Sequence, residues 1–385
     1  MQKSPTKSFK SPKLNHSPLN TFDLNHGERF IPPRSNFSIS QFQSEPKDFD
    51  KTFSTTSSLF SPNFHIPTSK PAILPLRPYK VLDAPNLADN FYYSVLDWGL
   101  TNFIAVGLGA LLYTFDKNTS KVSQLFSSEH EICSVKFCAD GKKIAAGLSK
   151  GEILVFDLEK ESLIRRIDEH KGRVGNCIWK QDILTSGGLD GYLVHNDMRS
   201  PRLLSKFKAH NEEICGLDWS SEYLATGSND NSVKIWPDFS NHSISTLSGH
   251  LAAVKSMAWS PCDRHLLLTG GGTVDKKIRV WNTINGKCEK EVDSGSQICT
   301  MAFSQNTKEL VTGHGYHRNE IIVWNYPDIK IKTTGNGHED RVLYMSLSPD
   351  GQEVVTGGAD STLRFWKVFN KAKSESKDSF LGELR

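Results

Sequence analysis

HNEEICGLDWSSEYLATGSNDNSVKIW, residues 210–236, strings short apolar runs between turn residues such as TGSNDN at 226–231. Runs of about five residues divided by tight turns read as antiparallel strands. The stretch starts on His210, passes Trp219 and ends on Trp236. Each of these residues belongs to a column that recurs along the chain. The strand-end column runs Phe115, Phe156, Asn196, Trp236, Trp281, Trp324, Trp366, with steps of 41, 40, 40, 45, 43 and 42. A second column precedes it in every unit: Trp98, Phe137, Trp179, Trp219, Trp259, Phe303, Leu347. A third marks the junctions at His130, His170, His210, His250 and His338. A fixed period over seven units signals an array of one repeated supersecondary element.

The unit resembles the G-H…W-D repeat, here SGH (248–250), KIW (234–236), ILVFD (153–157) and VHND (194–197). Seven four-stranded units stacked radially make an all-β, seven-bladed WD-repeat β-propeller, each blade covering its neighbour's apolar face. Its expected span is 71–369. The last unit shows three strands and ends near Val368, which would leave a sheet edge open. PYKVLDA (78–84) is a strand candidate without another role, and we expect it to pair with the seventh blade and latch the ring.

Residues 1–70 hold 13 Ser, 6 Thr and 8 Pro and no Trp, whereas all eight Trp lie from Trp98 onward. Such a segment buries too little apolar area to offset an ordering cost of roughly 1–2 kcal/mol per residue, so it reads as a disordered leader. The leader carries nine Lys/Arg against five Asp/Glu, and the remainder 37 against 38. The body therefore has no basic excess pointing to nucleic acid. The seven cysteines form no CxxC pair, and most lie in apolar runs, as buried free thiols do. Neither a metal site nor a cofactor is expected. The start MQKSPTKSFK is polar, and the apolar run FIAVGLGALLYTF (103–115) is too short to span a bilayer, so no membrane association is expected. The expected location is nucleus and cytoplasm.

The junction histidines, with Asp190, Asp230, Asp275 and Asp360 and nearby Ser or Thr, imitate hydrolase triads. Repetition argues otherwise, since an active site is needed once and a staple is needed in every blade. Lys150 breaks the Asp column in the second unit, and the sixth lacks a clear Asp. No phosphate-binding or dinucleotide fingerprint occurs, and GLGALL (107–112) and TGGGT (269–273) are glycine turns. No enzymatic activity is expected and no residue is assigned as catalytic.

Inside the leader lies HGERFIPPRS (26–35), an apolar knot in polar surroundings. Its prolines limit the entropy lost on binding, and Arg29 can fork onto a carboxylate, so it reads as a docking peptide. From the residues alone it could equally pack on its own propeller. GERFIPPRS is similar to the C-box of the Fizzy and Fizzy-related activators of the anaphase-promoting complex. KVLDAPNLADNFYYSVLDW (80–98) resembles the stretch that opens their propeller. HLAAVKSMAWSP (250–261), GGGTVDKKIRVWN (270–282), GSQICTMAFS (295–304), LVTGHGY (310–316) and DRVLYMSLSPDG (340–351) match as well. AVGLG (105–109), HGY and the FWKVF end lean toward the Fizzy-related branch.

The resemblance implies a substrate receptor and activator of a ubiquitin ligase. Glu28, Arg29, Phe30, Ile31 and Pro32 would carry the C-box, with Glu28 in place of the usual Asp. Leu384 and Arg385, at the end of the tail 370–385, would stand for the family's Ile-Arg. AILPLR (72–77) approximates a basic-apolar helper motif. A pocket for KEN-type degradation motifs maps onto Asn229, Asn231, Thr273, Gln297 and Arg364. Asp97 would pair with the arginine of a destruction box in a groove between the first and last blades. The partners implied are ligase subunits and degron-bearing cell-cycle proteins such as cyclins. Ser4, Ser11, Ser17 and Ser61 each precede Pro, and SPTK (4–7) suits a cyclin-dependent kinase. Each phosphate would add about −1.5 to −2 charge to the basic leader and weaken docking to an acidic surface. The alternative is a WD-repeat scaffold without a degradative role, its leader a kinase-regulated arm.

Overall fold

The computed structural model describes residues 75–371. Among the described residues, 28 strands form seven four-stranded antiparallel sheets. Blades 1 to 6 are consecutive meanders over residues 96–127, 132–168, 176–208, 214–248, 254–293 and 298–336. Blade 7 takes three strands from 342–367 and its fourth from Lys80–Asp83. The first strand of each blade touches that of the next, and Leu96–Trp98 touches Val342–Leu347, so the sheets close on themselves. The latch expected from PYKVLDA is present: Lys80 pairs with Phe365, Val81 with Arg364, Leu82 with Leu363 and Asp83 with Thr362. The apolar run 103–115 supplies two strands of blade 1, Phe103–Leu108 and Leu111–Asp116.

Position within a blade explains composition. The inner strands have a blade on either side, so Val254–Trp259 is buried at every residue. The outermost strands face water, and KCEKEVD (287–293) and LLSKFK (203–208) are mainly exposed. Their lysines discourage pairing with another chain along the open edge. Gly227 shows how close the blades approach, because a Cβ there would lie 2.3 Å from the Val254 carbonyl oxygen of blade 5.

Each Trp of the strand-end column anchors a chain of polar contacts. In blade 7 the Trp366 indole N–H donates to Thr356 Oγ1 at 2.8 Å, and that oxygen is 2.7 Å from His338 Nε2. The Asp360 carboxylate only accepts, so Nδ1 carries a proton, and with burial holding the imidazole neutral Nε2 accepts from the threonine hydroxyl. Nδ1 lies 3.0 Å from Asp360, which also accepts the Glu339 N–H at 3.0 Å. Blade 4 repeats the chain with Trp236, Thr226, His210 and Asp230. Blade 5 does so with Trp281, Thr269, His250 and Asp275. These buried imidazoles, closed in by their own blades, are staples rather than catalytic groups.

Departures from the pattern are matched in blades 1 and 2, whereas blade 3 keeps His170, Ser186 and Asp190 with Asn196 in the tryptophan column. Blades 1 and 2 have Phe115 and Phe156 in the tryptophan column, and Val106 and Ala146 stand where the others place Thr or Ser. A phenyl ring has no N–H to satisfy, so the hydroxyl is not required. Blade 6 keeps Trp324 and Thr312 but draws its imidazole from the strand itself, with His314 Nε2 2.7 Å from Thr312 Oγ1. His130 does not belong to its column, contrary to the sequence expectation. It lies two residues before the buried Ile132, whereas His170, His210, His250 and His338 lie four before Val174, Ile214, Val254 and Val342. The spacing of 40 from His130 to His170 is coincidental.

All seven cysteines are free thiols, but Cys262 and Cys288 are exposed rather than buried. Both fall at turns or on an outer strand, away from the inner-strand runs that bury Cys133, Cys177, Cys215 and Cys299. Burial pushes the Cys177 and Cys299 thiols up to about 12, which keeps them protonated and unreactive.

The staple reading predicts that Thr356→Val, which orphans the Trp366 N–H and His338 Nε2, costs about 2–5 kcal/mol in urea unfolding. A loss below about 0.5 kcal/mol, the size of an ordinary surface change, would contradict it. Burial also lowers the imidazoles of His195, to about 4, and His314, to about 3. The unfolded chain protonates these groups below about pH 6.5 while the fold keeps them neutral. Stability is therefore complete above that pH and declines on acidification, by about 1.4 kcal/mol per pH unit for each group. A urea midpoint that stays flat between about pH 7 and 5 would contradict this.

Candidate functional site

The residue just before the first buried aliphatic of each blade forms a ring around the axis on one face of the propeller. In blades 2 to 7 these residues are Glu131, Arg173, Glu213, Ala253, Gln297 and Arg341. Arg173, Ala253, Gln297 and Arg341 line a cavity of about 640 Å³. Asp89 and Tyr92, from the segment leading into blade 1, close one side. Asn229, Asn231 and Thr273, from turns of blades 4 and 5, close another.

The wall carries opposite charges side by side. Arg341 Nε donates to Asp89 at 3.0 Å, and its Nη1 donates to the Tyr316 hydroxyl at 2.9 Å. Arg173 is held by Glu213 at 2.7 Å and lies over the Tyr92 ring at 5.4 Å. Burial pushes the Glu213 carboxyl up, and the hydrogen bonds from Arg173 only partly oppose this. Deeper on the axis, burial lowers the Lys255 ammonium to about 8, and Lys255 lies 5.6 Å from the Phe91 ring of the cavity wall.

Four of the five residues expected in a KEN-type pocket meet here: Asn229, Asn231, Thr273 and Gln297. They are not equally free. Asn229 accepts from the Tyr92 hydroxyl at 2.8 Å and donates to Glu212 at 2.5 Å. Asn231 adopts the left-handed backbone conformation, with φ of 64°, which Asn tolerates. Its amide has no side-chain partner among the described residues. Gln297 is 4% exposed and its Oε1 is buried without a hydrogen bond. A buried acceptor left empty costs about 1–3 kcal/mol, and Gln297 must turn toward the cavity before a ligand's donor can reach it.

Arg364 is not in the cavity. It lies on the strand Thr362–Lys367 opposite Val81, with its guanidinium on Thr362 at 3.1 Å and Asp360 at 3.3 Å. Arg341 holds the cavity position instead. The spacing that exposes it is its place three residues after the junction His338, shared by Arg173 after His170.

Asp97 is also misplaced by sequence reading. It is 4% exposed, and its carboxylate takes Lys136 at 2.8 Å, the Phe137 N–H at 2.9 Å and the Ser346 hydroxyl at 3.1 Å. It therefore ties blade 1 to blades 2 and 7, and a peptide arginine could reach it only by breaking those bonds. The groove between blades 7 and 1 does exist, as an apolar cavity of about 340 Å³ walled by Leu82, Pro85, Val106, Leu111, Phe115 and Leu363. Its acid is Asp83, exposed and without an ion-pair partner among the described residues.

Glu28, Arg29, Phe30, Ile31, Pro32, Leu384 and Arg385 lie outside the described residues, as do Ser4, Ser11, Ser17 and Ser61.

Comparison with known proteins places this geometry. Residues 82–366 match the family model of the CDC20/Fizzy WD40 domain. The chain is 42% identical over 306 residues to Meiotic fizzy-related protein 1 of Schizosaccharomyces pombe, covering 78% of this chain and 73% of that protein. It is 43% identical to Protein FIZZY-RELATED 1 of Arabidopsis thaliana, covering 83% and 68%. It is 41% identical to the APC/C activator protein CDH1 of Saccharomyces cerevisiae, covering 79% and 54%. A chain in a crystal structure of the mitotic checkpoint complex superposes with a TM-score of 0.76 at 35% identity, covering 83% of this chain and 99% of that one. A closed seven-bladed ring, latched by its own N-terminal strand and matching the family model across nearly all of it, makes this chain a member of the CDC20/Fizzy WD40 family.

Proposed function

We propose that the protein is an activator and substrate-recognition subunit of the anaphase-promoting complex. On this reading it captures degradation motifs on the propeller and delivers their bearers for ubiquitin transfer. Relatives named for APC/C activation support the general role. The observation that carries motif recognition is the composition of the axial cavity. A Lys-Glu-Asn segment has one cation, one anion and one amide. Asp89 answers the lysine, Arg341 forks onto the glutamate, and Asn231 with the unpaired Gln297 oxygen receives the asparagine. Capture exchanges the internal Arg341–Asp89 pair for two intermolecular ones, so charge is not left buried and alone.

The groove between blades 7 and 1 suits a peptide with apolar side chains and an arginine. The apolar residues cover Leu111, Phe115 and Leu363, while the arginine meets Asp83 at the rim. This is the destruction-box role expected at Asp97, moved to the exposed carboxylate. Docking on the ligase falls to the leader, through Glu28–Pro32, and to the tail at Leu384 and Arg385. Phosphorylation at Ser4, Ser11, Ser17 or Ser61 by a cyclin-dependent kinase would oppose it by turning a basic segment acidic. Nothing in this role requires catalysis by the propeller.

Peptide titration tests the cavity. Arg341→Ala should weaken a Lys-Glu-Asn peptide by about tenfold or more, as loss of a charged hydrogen-bond partner does, while Arg364→Ala leaves it within about twofold. The reverse order would restore Arg364 and remove Arg341. For the groove, Asp83→Asn should impair destruction-box binding with the fold intact, whereas Asp97→Asn should lower the melting temperature. For docking, Arg29→Ala should lose the ligase in a pull-down, and equal recovery with wild type would support the non-degradative scaffold.

A further inference from the structure

Tyr316 lines the axial cavity beside Arg341 and is 44% exposed, so a ligand can reach it. It belongs to the turn after the strand Glu309–His314 of blade 6, whereas Arg341 leads into the first strand of blade 7. Arg341 Nη1 donates to the Tyr316 hydroxyl oxygen at 2.9 Å, and the guanidinium lies 4.7 Å from the centre of the phenol ring. A guanidinium has no acceptor, so in this contact the tyrosine only accepts. Its own hydroxyl hydrogen makes no bond among the described residues.

The turn that presents this hydroxyl has an uncommon shape. Tyr316, His317 and Asn319 have φ of 27°, 80° and 50°, so three non-glycine residues in four adopt the left-handed region. Such residues persist only where their surroundings impose the conformation, and they gather at ligand sites. Here the anchors are visible. Fully buried Ser296 donates its hydroxyl to the Tyr316 carbonyl at 2.7 Å, and the Gly315 N–H donates to the Gln297 carbonyl at 3.0 Å. The Asn319 amide donates to the Glu339 carbonyl at 3.1 Å, two residues before Arg341. The turn is thus tied to both neighbours that face the ligand, Gln297 and Arg341. The phenol is set against the guanidinium before any peptide arrives, which spares the cost of ordering it then.

We propose that Tyr316 sets the cavity's choice of a carboxylate over a carboxamide, by donating its unspent hydrogen to the acid that Arg341 receives. The inference rests on the functional reading above, in which that acid is the glutamate of Lys-Glu-Asn. A carboxylate offers about four lone-pair sites, and a guanidinium fork takes two of them. One of the others meets the Tyr316 O–H, which already lies against Nη1 of the same fork. A glutamine in that place has one acceptor oxygen, and its NH2 brings hydrogens toward groups that themselves donate. Asp89, the acceptor bonded to Arg341 Nε, is then occupied by the lysine. Acid and amide are therefore told apart by the number of donors aimed at them as well as by charge.

Calorimetric titration of the full chain with two peptides tests this, one carrying Lys-Glu-Asn and one Lys-Gln-Asn, in wild type and in Tyr316→Phe. The variant keeps the ring over Arg341 and removes only the hydroxyl. It should weaken the Lys-Glu-Asn peptide by about fivefold, as loss of a hydrogen bond to a charged group does, and leave the Lys-Gln-Asn peptide within about twofold. The preference for acid over amide then shrinks by the same factor. Equal weakening of both peptides would make Tyr316 a support for Arg341 and nothing more, and unchanged affinity for both would leave the hydroxyl without a role. Either result overturns the inference. Failure of the wild-type chain to bind Lys-Glu-Asn at all overturns the functional reading instead, so the two failures are told apart in one experiment.

Discussion

Everything in this molecule depends on closing a ring of seven sheets. A radial stack buries each blade's faces against its neighbours, but the first and last blades remain half-covered until they meet. Here the meeting is made by the strand Lys80–Asp83 against Thr362–Lys367, which joins the start of the propeller to its end. Phe365, fully buried, sits at that seam 5.8 Å from the Trp98 ring and 6.2 Å from the Phe115 ring. The same closure fixes both sites. Asp83 ends the latch strand at the groove, and the chain leaving it becomes the wall of the axial cavity.

Within the ring, polar chemistry is divided between two levels. Below the surface of the blades, tryptophan, threonine, histidine and aspartate bond to one another, and blades 1 and 2, with phenylalanine in place of the tryptophan, drop the hydroxyl, whereas blade 3 keeps His170, Ser186 and Asp190 beside Asn196. On the axis, the ring of residues preceding each first strand is left free to vary, which is why one scaffold position reads Glu131, Arg173, Glu213, Ala253, Gln297 and Arg341 in successive blades. The staples make the frame rigid enough to hold these side chains at fixed mutual positions, and preorganised groups bind a short peptide without first being ordered themselves.

Much of this is legible in the sequence because it is periodic. The columns ending at Trp236, Trp281, Trp324 and Trp366 establish the blades, and the unassigned PYKVLDA points to the latch. The site was readable only in part. Asn229 and Asn231 flank a turn Asp whose place is set by the repeat, so their outward direction follows. Arg364 and Arg341 are both arginines of blade 7, and period alone does not say which lies on a strand and which at the axis. Asp97 and Asp83 pose the same difficulty, since burial by Lys136, Phe137 and Ser346 comes from blades 2 and 7, far away in sequence. His130 misled for the opposite reason, a correct interval from a wrong register.

The proposed contact between a degron and the propeller is the most direct point of test. Hydrogen exchange of the full chain, with and without a Lys-Glu-Asn peptide, reads this amide by amide. The structure predicts slower exchange at Asn229–Asn231, at Thr273 and Val274, and from Asp89 to Tyr92. Exchange unchanged at those amides, with slowing confined to outer strands such as Lys287–Asp293, would contradict it.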